Sequence, residues 1–154
     1  MRLVFSFLVT AVALLGCAAT PPPSAPLPVS SITIDTALGP VKFRVEVAAD
    51  DVSRDYGLMN RKYMRPNDGM LFDFQQPSQV SFWMKDTILP LDMLFVRADG
   101  TIANIKHDAR PFSLLPIPAA EPVRAVIEIN GGRAKALGIE AGQTVHNPIF
   151  HNAR

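Results

Sequence analysis

Apolar and polar residues alternate with a period of two near the start of the folded region. Residues 32–36 and 41–47 follow this pattern on either side of the turn formers Leu38, Gly39 and Pro40. A period of two places the apolar side chains on one face of a strand. The pattern therefore predicts a β-hairpin.

Later segments also have the composition of strands, with β-branched or aromatic residues between turn formers. Residues 66–69, with the sequence Pro-Asn-Asp-Gly, and the pair Asp99-Gly100 favour turns. Strands are predicted at residues 70–74, 80–84, 92–97 and 101–106, and up to this point the spacing predicts an antiparallel meander. A further strand is predicted at 123–129 and a last edge strand at 143–147.

Two short helices interrupt the strands. Asp50 or Asp51 is a suitable N-cap for a helix that runs through Met59, and a second helix is predicted at residues 133–137. Residues 107–121 contain three prolines and predict a long loop of the kind that often carries function. The succession predicts a mainly β fold, either a β-sandwich or a partly open barrel, with one or two short helices.

The N-terminus predicts export. A single Arg2 precedes an apolar run from Leu3 to Leu15, which has the length of a signal-peptide core and is too short to span a membrane as a helix. The run ends in Leu14-Leu15-Gly16-Cys17, which resembles the lipobox of bacterial lipoproteins. We therefore expect residues 1–16 to be a signal peptide cleaved before Cys17.

Cys17 is the only cysteine, so an intrachain disulfide is excluded and acylation of its thiol is the expected use. Residues 17–30 contain five prolines and no charged side chain, which predicts an extended spacer between the membrane and one domain at 31–150. The expected location is the periplasmic side of the cell envelope. Ala18 in place of Asp after the cysteine favours the outer membrane.

Composition narrows the class of protein. The chain has 154 residues, 48% of them hydrophobic and 19% charged, which fits one folded domain. The formal net charge of +1, without clustered basic residues, argues against binding of nucleic acid. The three histidines are scattered, so neither a metal site nor a cofactor is predicted.

Three motifs combine charged and apolar residues. They are Gly-Leu-Met-Asn-Arg at 57–61, Gly-Met-Leu-Phe at 69–72, and Phe-Trp-Met-Lys-Asp-Thr at 82–87, which continues to Pro-Leu-Asp at 90–92. With Glu128 and Gly132, this set resembles the prokaryotic family known as domain of unknown function 192. The resemblance implies a compact, jelly-roll-like β domain and no established activity.

Six residues are the candidate site. Asp92 and Glu128 lie within apolar runs, so each either points outward or, if buried, requires a partner. Arg61, Lys85 and Arg124 are the expected partners. One interpretation is a pocket for a small molecule or glycan. Its binding residues would be Arg61, Trp83, Lys85, Asp86, Asp92 and Glu128.

Two other interpretations remain open at this point. Trp83 and the charged residues could form a structural network within the core. Alternatively, a glycan-directed hydrolase could use a carboxylate pair, with Asp92 and Glu128 as the candidate acid and base. No serine or cysteine nucleophile with a convincing histidine partner is present, and the sequence identifies no protein partner. The prediction is an exported, lipid-anchored, non-catalytic binding or accessory module.

Overall fold

A computed structural model describes residues 20–153 of the protein. The predicted signal peptide, residues 1–16, and Cys17 lie outside this range. Within it the fold is mainly β, as predicted. The strands are β1 (Val29–Thr36), β2 (Gly39–Ala48), β3 (Asp68–Ser78), β4 (Ser81–Phe82), β5 (Leu91–Val96), β6 (Ile102–Ala109), β7 (Ile117–Pro118), β8 (Val123–Asn130) and β9 (Val145–His146). The helices are α1 (Asp51–Tyr56) and α2 (Arg133–Ala136), followed by a 3₁₀ turn at Pro148–Phe150.

The described strands form one curled, seven-stranded half-barrel and one separate pair. The large sheet has the order β6-β5-β8-β3-β2-β1-β9, and β4 pairs with β7. Of the two predicted arrangements, a β-sandwich and a partly open barrel, the structure has the second. The antiparallel meander is wrong, because β2 and β3 are parallel and β8 lies between β3 and β5. Residues 49–67, which include α1, are long enough to return the chain for a parallel pairing.

Three neighbouring strands, β5, β8 and the first half of β3, are buried on both faces. On one face, side chains such as Leu94 and Ile127 join those of β1, β2 and β6 in a first apolar cluster. On the other face, residues such as Met93 and Val126 pack under α1 and the loops in a second cluster. Burial on both faces explains why these strands have continuous apolar runs instead of clean alternation.

The capping residue Asp50 determines where helix α1 begins. The Asp50 carboxylate accepts a hydrogen bond from the Ser53 N–H at 2.9 Å, and the Ser53 hydroxyl accepts one from the Asp50 N–H at 3.3 Å. This reciprocal capping confirms Asp50 as the helix start. Gly57 has a φ of +50° and ends the helix earlier than the predicted Met59. The chain then turns inward, and Leu58 and Met59 are buried beneath the helix.

The end of the predicted spacer is part of the folded domain. Strand β1 begins at Val29, and Leu27 packs against the second apolar cluster. The carbonyl of Pro28 accepts a hydrogen bond from the Val47 N–H at 2.8 Å. Among residues 20–153, no helix has both the length and the hydropathy that crossing a membrane requires.

Candidate functional site

A cleft of about 560 Å³ opens between α1, β3 and the segment that contains Trp83. We call it the Trp83 cleft. Its walls are mainly apolar and aromatic, and its size lies within the range of small-molecule sites. The side chains that line it are Thr20, Arg54, Asp55, Tyr56, Leu58, Met59, Phe72, Phe74, Val80, Ser81, Phe82, Trp83, Lys85, Thr87 and Glu128.

Trp83 lies at the rim of the cleft. Its side chain is 49% exposed, so it is not the central core aromatic that the structural-network hypothesis required. The Lys85 ammonium lies 5.5 Å from the centre of the Trp83 ring, a cation–π arrangement. The neighbouring Phe82 points into the protein, with edge-to-face contacts to Phe72 at 5.0 Å and Phe95 at 6.2 Å between ring centroids. The Phe-Trp motif thus joins a core anchor to an exposed aromatic face.

The turn after Trp83 is fixed by backbone hydrogen bonds. Asp86 has a φ of +51° and an exposed side chain, and its carbonyl accepts from the Asn60 N–H at 2.8 Å. The Thr87 hydroxyl donates to the Lys85 carbonyl at 3.0 Å. These bonds explain why the 57–61 and 82–87 motifs occur together, because they are neighbours across the cleft.

Glu128 lies at the floor of the Trp83 cleft. It is only 4% exposed, and its cross-strand neighbours are Met70 on β3 and Met93 on β5. Within the described part of the chain, its carboxyl makes no hydrogen bond or ion pair. Desolvation by burial raises the pKa of Glu128 to about 8. This carboxyl is therefore protonated at neutral pH and has unused hydrogen-bonding capacity.

Asp92 is fully buried and has a different role. Its two carboxylate oxygens accept hydrogen bonds from the Asp108 N–H at 2.9 Å and the Ala134 N–H at 2.8 Å. It pairs across the sheet with Ile129, on the face of the first apolar cluster. Because neighbouring residues in a strand point to opposite faces, Asp92 and Glu128 lie on opposite sides of the sheet. This geometry does not support a catalytic pair.

Arg61 lies in a second, smaller cleft. Its guanidinium makes a two-point contact with the Glu46 carboxylate, at 2.8 and 2.7 Å. The hydrogen bond from Arg61 holds the pKa of Glu46 below its ordinary value, and the same contact raises that of Arg61. Residues 23–27 of the predicted spacer line this cleft together with Arg61.

The expected partners of the buried carboxyls are wrong. Arg61 pairs with Glu46, and Arg124 contacts Asp73 at 3.1 Å. Lys85 lies over the Trp83 ring. Asp92 accepts hydrogen bonds from two backbone N–H groups, and His107 Nδ1 lies 4.0 Å from one of its oxygens. No motif in the sequence identifies these partners. Sequence spacing could not resolve these pairs, because each joins residues from different strands or loops.

The structure brings together part of the predicted set. Trp83, Lys85 and Glu128 share the Trp83 cleft, and Asp86 lies on the adjoining turn. Arg61 and Asp92 lie elsewhere. Sequence reasoning missed Tyr56 and Phe82 as cleft residues. The available signal was their position, because Tyr56 directly precedes the 57–61 motif and Phe82 begins the 82–87 motif.

The predicted long loop is shorter than expected. Strand β6 extends to Ala109 and β7 takes two of its residues, which leaves residues 110–116 and 119–121 without regular structure. Phe112, Leu114 and Leu115 are more than half exposed there. The Phe112 N–H donates to the Thr87 carbonyl at 3.2 Å, so the loop flanks the Trp83 turn.

Within residues 20–153, no three His, Cys, Asp or Glu side chains form a potential metal cluster.

The sequence of this curled β domain matches a known protein family. The family model DUF192, described as "Uncharacterized ACR, COG1430", matches residues 32–147. The chain therefore belongs to the DUF192 family. No curated protein matches the sequence.

Two solved crystal structures are similar to the whole folded region. The first is a "putative transcription regulator" from Sinorhizobium meliloti 1021, which is 41% identical, with a TM-score of 0.79 and coverage of 82% of this chain and 99% of the other. The second is a protein of unknown function from Novosphingobium aromaticivorans DSM 12444. It is 38% identical, with a TM-score of 0.78, and the match covers 85% of this chain and 94% of that one.

Proposed function

We propose that this protein is a non-catalytic module that binds a small molecule or glycan in the Trp83 cleft. The observation that carries the proposal is the Glu128 carboxyl, which is buried at the cleft floor without a partner in the described structure. The carboxyl faces the cleft, where a partner can reach it, and a polar group withdrawn from water without a hydrogen bond costs about 1–3 kcal/mol. A ligand that hydrogen-bonds to Glu128 would offset this cost. A purely structural role does not require a carboxyl group without a partner at this position.

Binding is favoured over hydrolysis by the placement of the carboxyls. Glycoside hydrolysis by an acid and a base requires two carboxyl groups about 5–10 Å apart across the scissile bond. Asp92 is on the opposite face of the sheet from Glu128. Asp55, the other carboxylate that lines the cleft, is exposed on α1. The exposed Trp83 face is suited to stacking against a flat or ring-shaped ligand.

The single tryptophan provides a direct test. Because Trp83 is the only tryptophan in the chain and lies at the cleft rim, a bound ligand is expected to change its fluorescence. Compounds that do so are then titrated by calorimetry against the wild type and the Trp83→Ala variant. We expect Trp83→Ala to weaken binding by about tenfold or more, equivalent to about 1.4 kcal/mol.

Leu114→Ala is the matched control for this experiment. Leu114 is 65% exposed on the neighbouring loop and does not line the cleft. Its substitution is expected to leave the affinity unchanged. A ligand that binds Trp83→Ala as tightly as the wild type would contradict the proposed site.

We further propose that the module is exported and held at the periplasmic side of the envelope by an acylated Cys17, in the outer membrane rather than the inner one. The support is the sequence from Leu3 to Cys17 and the proline-rich segment after it. Several acyl chains on one N-terminus would make the attachment stable, because each buried methylene contributes about 0.8 kcal/mol.

Metabolic labelling with a palmitate analogue tests the anchor. The full-length wild type is expected to take up label and to sediment with the membranes, and Cys17→Ser is expected to do neither. Separation of inner and outer membranes then locates the labelled protein. A wild type with no more label than Cys17→Ser would overturn this part of the proposal.

A further inference from the structure

The Trp83 cleft has a chemical asymmetry that restricts its ligand. Glu128 is the polar group at its floor, and the residues that face Glu128 from β3 and β5 are Met70 and Met93. Leu58, Met59 and aromatic rings form the apolar part of the walls, and the other polar side chains of the lining are Thr20, Arg54, Asp55, Ser81, Lys85 and Thr87. A ligand that reaches the floor therefore needs an apolar body and one hydrogen-bonding head group.

The charges around the cleft disfavour a charged head group. Arg54 and Lys85 are the cations that line it, and Asp55 is the anion on the same helix as Arg54. The Arg54 guanidinium is already engaged, because it donates to the carbonyls of Ala49 at 2.6 Å and Asp73 at 2.9 Å. A cationic ligand would meet two positive side chains. An anionic head group at the floor would be far from Lys85, which lies at the rim. It would be unfavourable there, because the apolar floor offers no cation to neutralise its charge.

The protonation state of Glu128 points the same way. Burial raises its pKa to about 8, so near pH 6 it is an uncharged acid with one O–H donor and one carbonyl acceptor. The other groups around the cleft that could respond to pH are Asp55, Tyr56 and Lys85. They lie on α1 and in the 80–87 segment, on the walls and rim of the cleft.

We propose that the Trp83 cleft takes an uncharged molecule with a compact apolar ring and a carbonyl or hydroxyl head group that hydrogen-bonds to the Glu128 carboxyl. This inference rests on the proposed binding function and narrows its ligand class. It favours a ring with one polar end over a sugar, because Met70 and Met93 flank Glu128 and would leave the other hydroxyls of a sugar at the floor without partners.

A series of probes with one ring and different head groups tests the proposal. Acetophenone, benzyl alcohol, toluene, benzylamine and methyl β-glucoside are titrated at pH 6, and binding is followed by the indole N–H signal of Trp83 in NMR spectra. Acetophenone and benzyl alcohol are expected to bind about threefold to tenfold more tightly than toluene, the gain of one net hydrogen bond. Benzylamine and the glucoside are expected to bind more weakly than both.

Two variants assign the head-group preference to Glu128. Glu128→Met keeps a side chain of similar length without polar atoms, so acetophenone and toluene are expected to bind it equally. Glu128→Gln keeps a donor and an acceptor and is expected to retain the preference. The wild type should lose its preference for acetophenone at pH 9.5, where the carboxylate has no proton to donate, and Glu128→Gln should keep it.

The outcomes separate this inference from the proposed function. If benzylamine or the glucoside binds best, or if toluene equals acetophenone, the cleft is a binding site but the ligand class is wrong. If Glu128→Met keeps the wild-type preference, Glu128 does not select the head group. If no probe shifts the Trp83 signal at millimolar concentrations, both proposals are overturned.

Discussion

The unfolding free energy of the protein is expected to fall by up to about 5 kcal/mol between pH 4.5 and pH 8, and Glu128→Gln is expected to abolish most of this loss. The pKa of Glu128 is about 8 in the folded protein, against an ordinary value of 4.5. Between these values the unfolded chain releases the proton and the folded protein keeps it. Folding is therefore opposed increasingly as pH rises, and a pKa difference of about 3.5 corresponds to about 5 kcal/mol.

Urea denaturation followed by circular dichroism, at half-unit steps from pH 4.5 to 9, measures this effect. Below pH 4.5 both states hold the proton and Glu128 adds no pH dependence. Above pH 8 both release it, and its full penalty applies. Glu128→Gln has no proton to exchange, so its stability curve should lie above that of the wild type at pH 8 and run nearly flat through this window.

Glu140→Gln is the control for general charge effects. Glu140 is exposed, so its replacement removes the same charge without changing a buried group. This variant is expected to follow the pH dependence of the wild type closely. A wild-type stability that rises with pH through this window, or a Glu128→Gln curve parallel to it, would show that Glu128 is ionised and paired in the folded state.

Asp92→Ala is expected to destabilise the fold by about 3–5 kcal/mol. The variant removes a buried carboxylate and leaves the N–H groups of Asp108 and Ala134 without acceptors. The Ala134 N–H is buried, and a buried donor without an acceptor costs about 1–3 kcal/mol; loss of the part-buried bond from Asp108 and of the packing of the side chain adds to this. The variant should also loosen α2, because Ala134 lies in its first turn.

Chemical denaturation at pH 7 measures the loss, with Asp55→Ala as the control. Asp55 is exposed on α1, and its replacement is expected to change the stability by about 0.5 kcal/mol or less. Asp92→Asn should give an intermediate loss, because its oxygen can still accept one bond while its amide NH₂ faces the other donor. An Asp92→Ala variant as stable as Asp55→Ala would contradict the structural role assigned to Asp92.

The local elements of the fold could be predicted from local chemistry. The Asp50 cap, the turn before β3 and the apolar runs of β5 and β8 each depend on a few consecutive residues. Such signals act through backbone dihedrals and side chains within one or two turns of chain. The strand predicted at residues 80–84 is shorter in the structure, where only Ser81 and Phe82 form a strand. Their partner is the two-residue strand β7, which lies in the region predicted to be a loop.

The candidate site was predictable only in part, for a related reason. Of the residues that the motifs indicated, Trp83, Lys85 and Glu128 line one cleft. Arg61 and Asp92 lie elsewhere. Motif residues can be close in sequence and still be directed to different faces, because alternate positions of a strand point to opposite sides of the sheet.

The sequence by itself determined the family, the mainly β character and the presence of charged residues inside apolar strands. Only the tertiary structure decided what each charge does. The parallel pairing of β2 with β3 and the position of β8 between β3 and β5 set the environment of Glu128. Burial and partnership are properties of neighbours distant along the chain. For this reason Asp92 is satisfied by two backbone N–H groups, while Glu128 is left protonated and unpaired at the floor of a cleft.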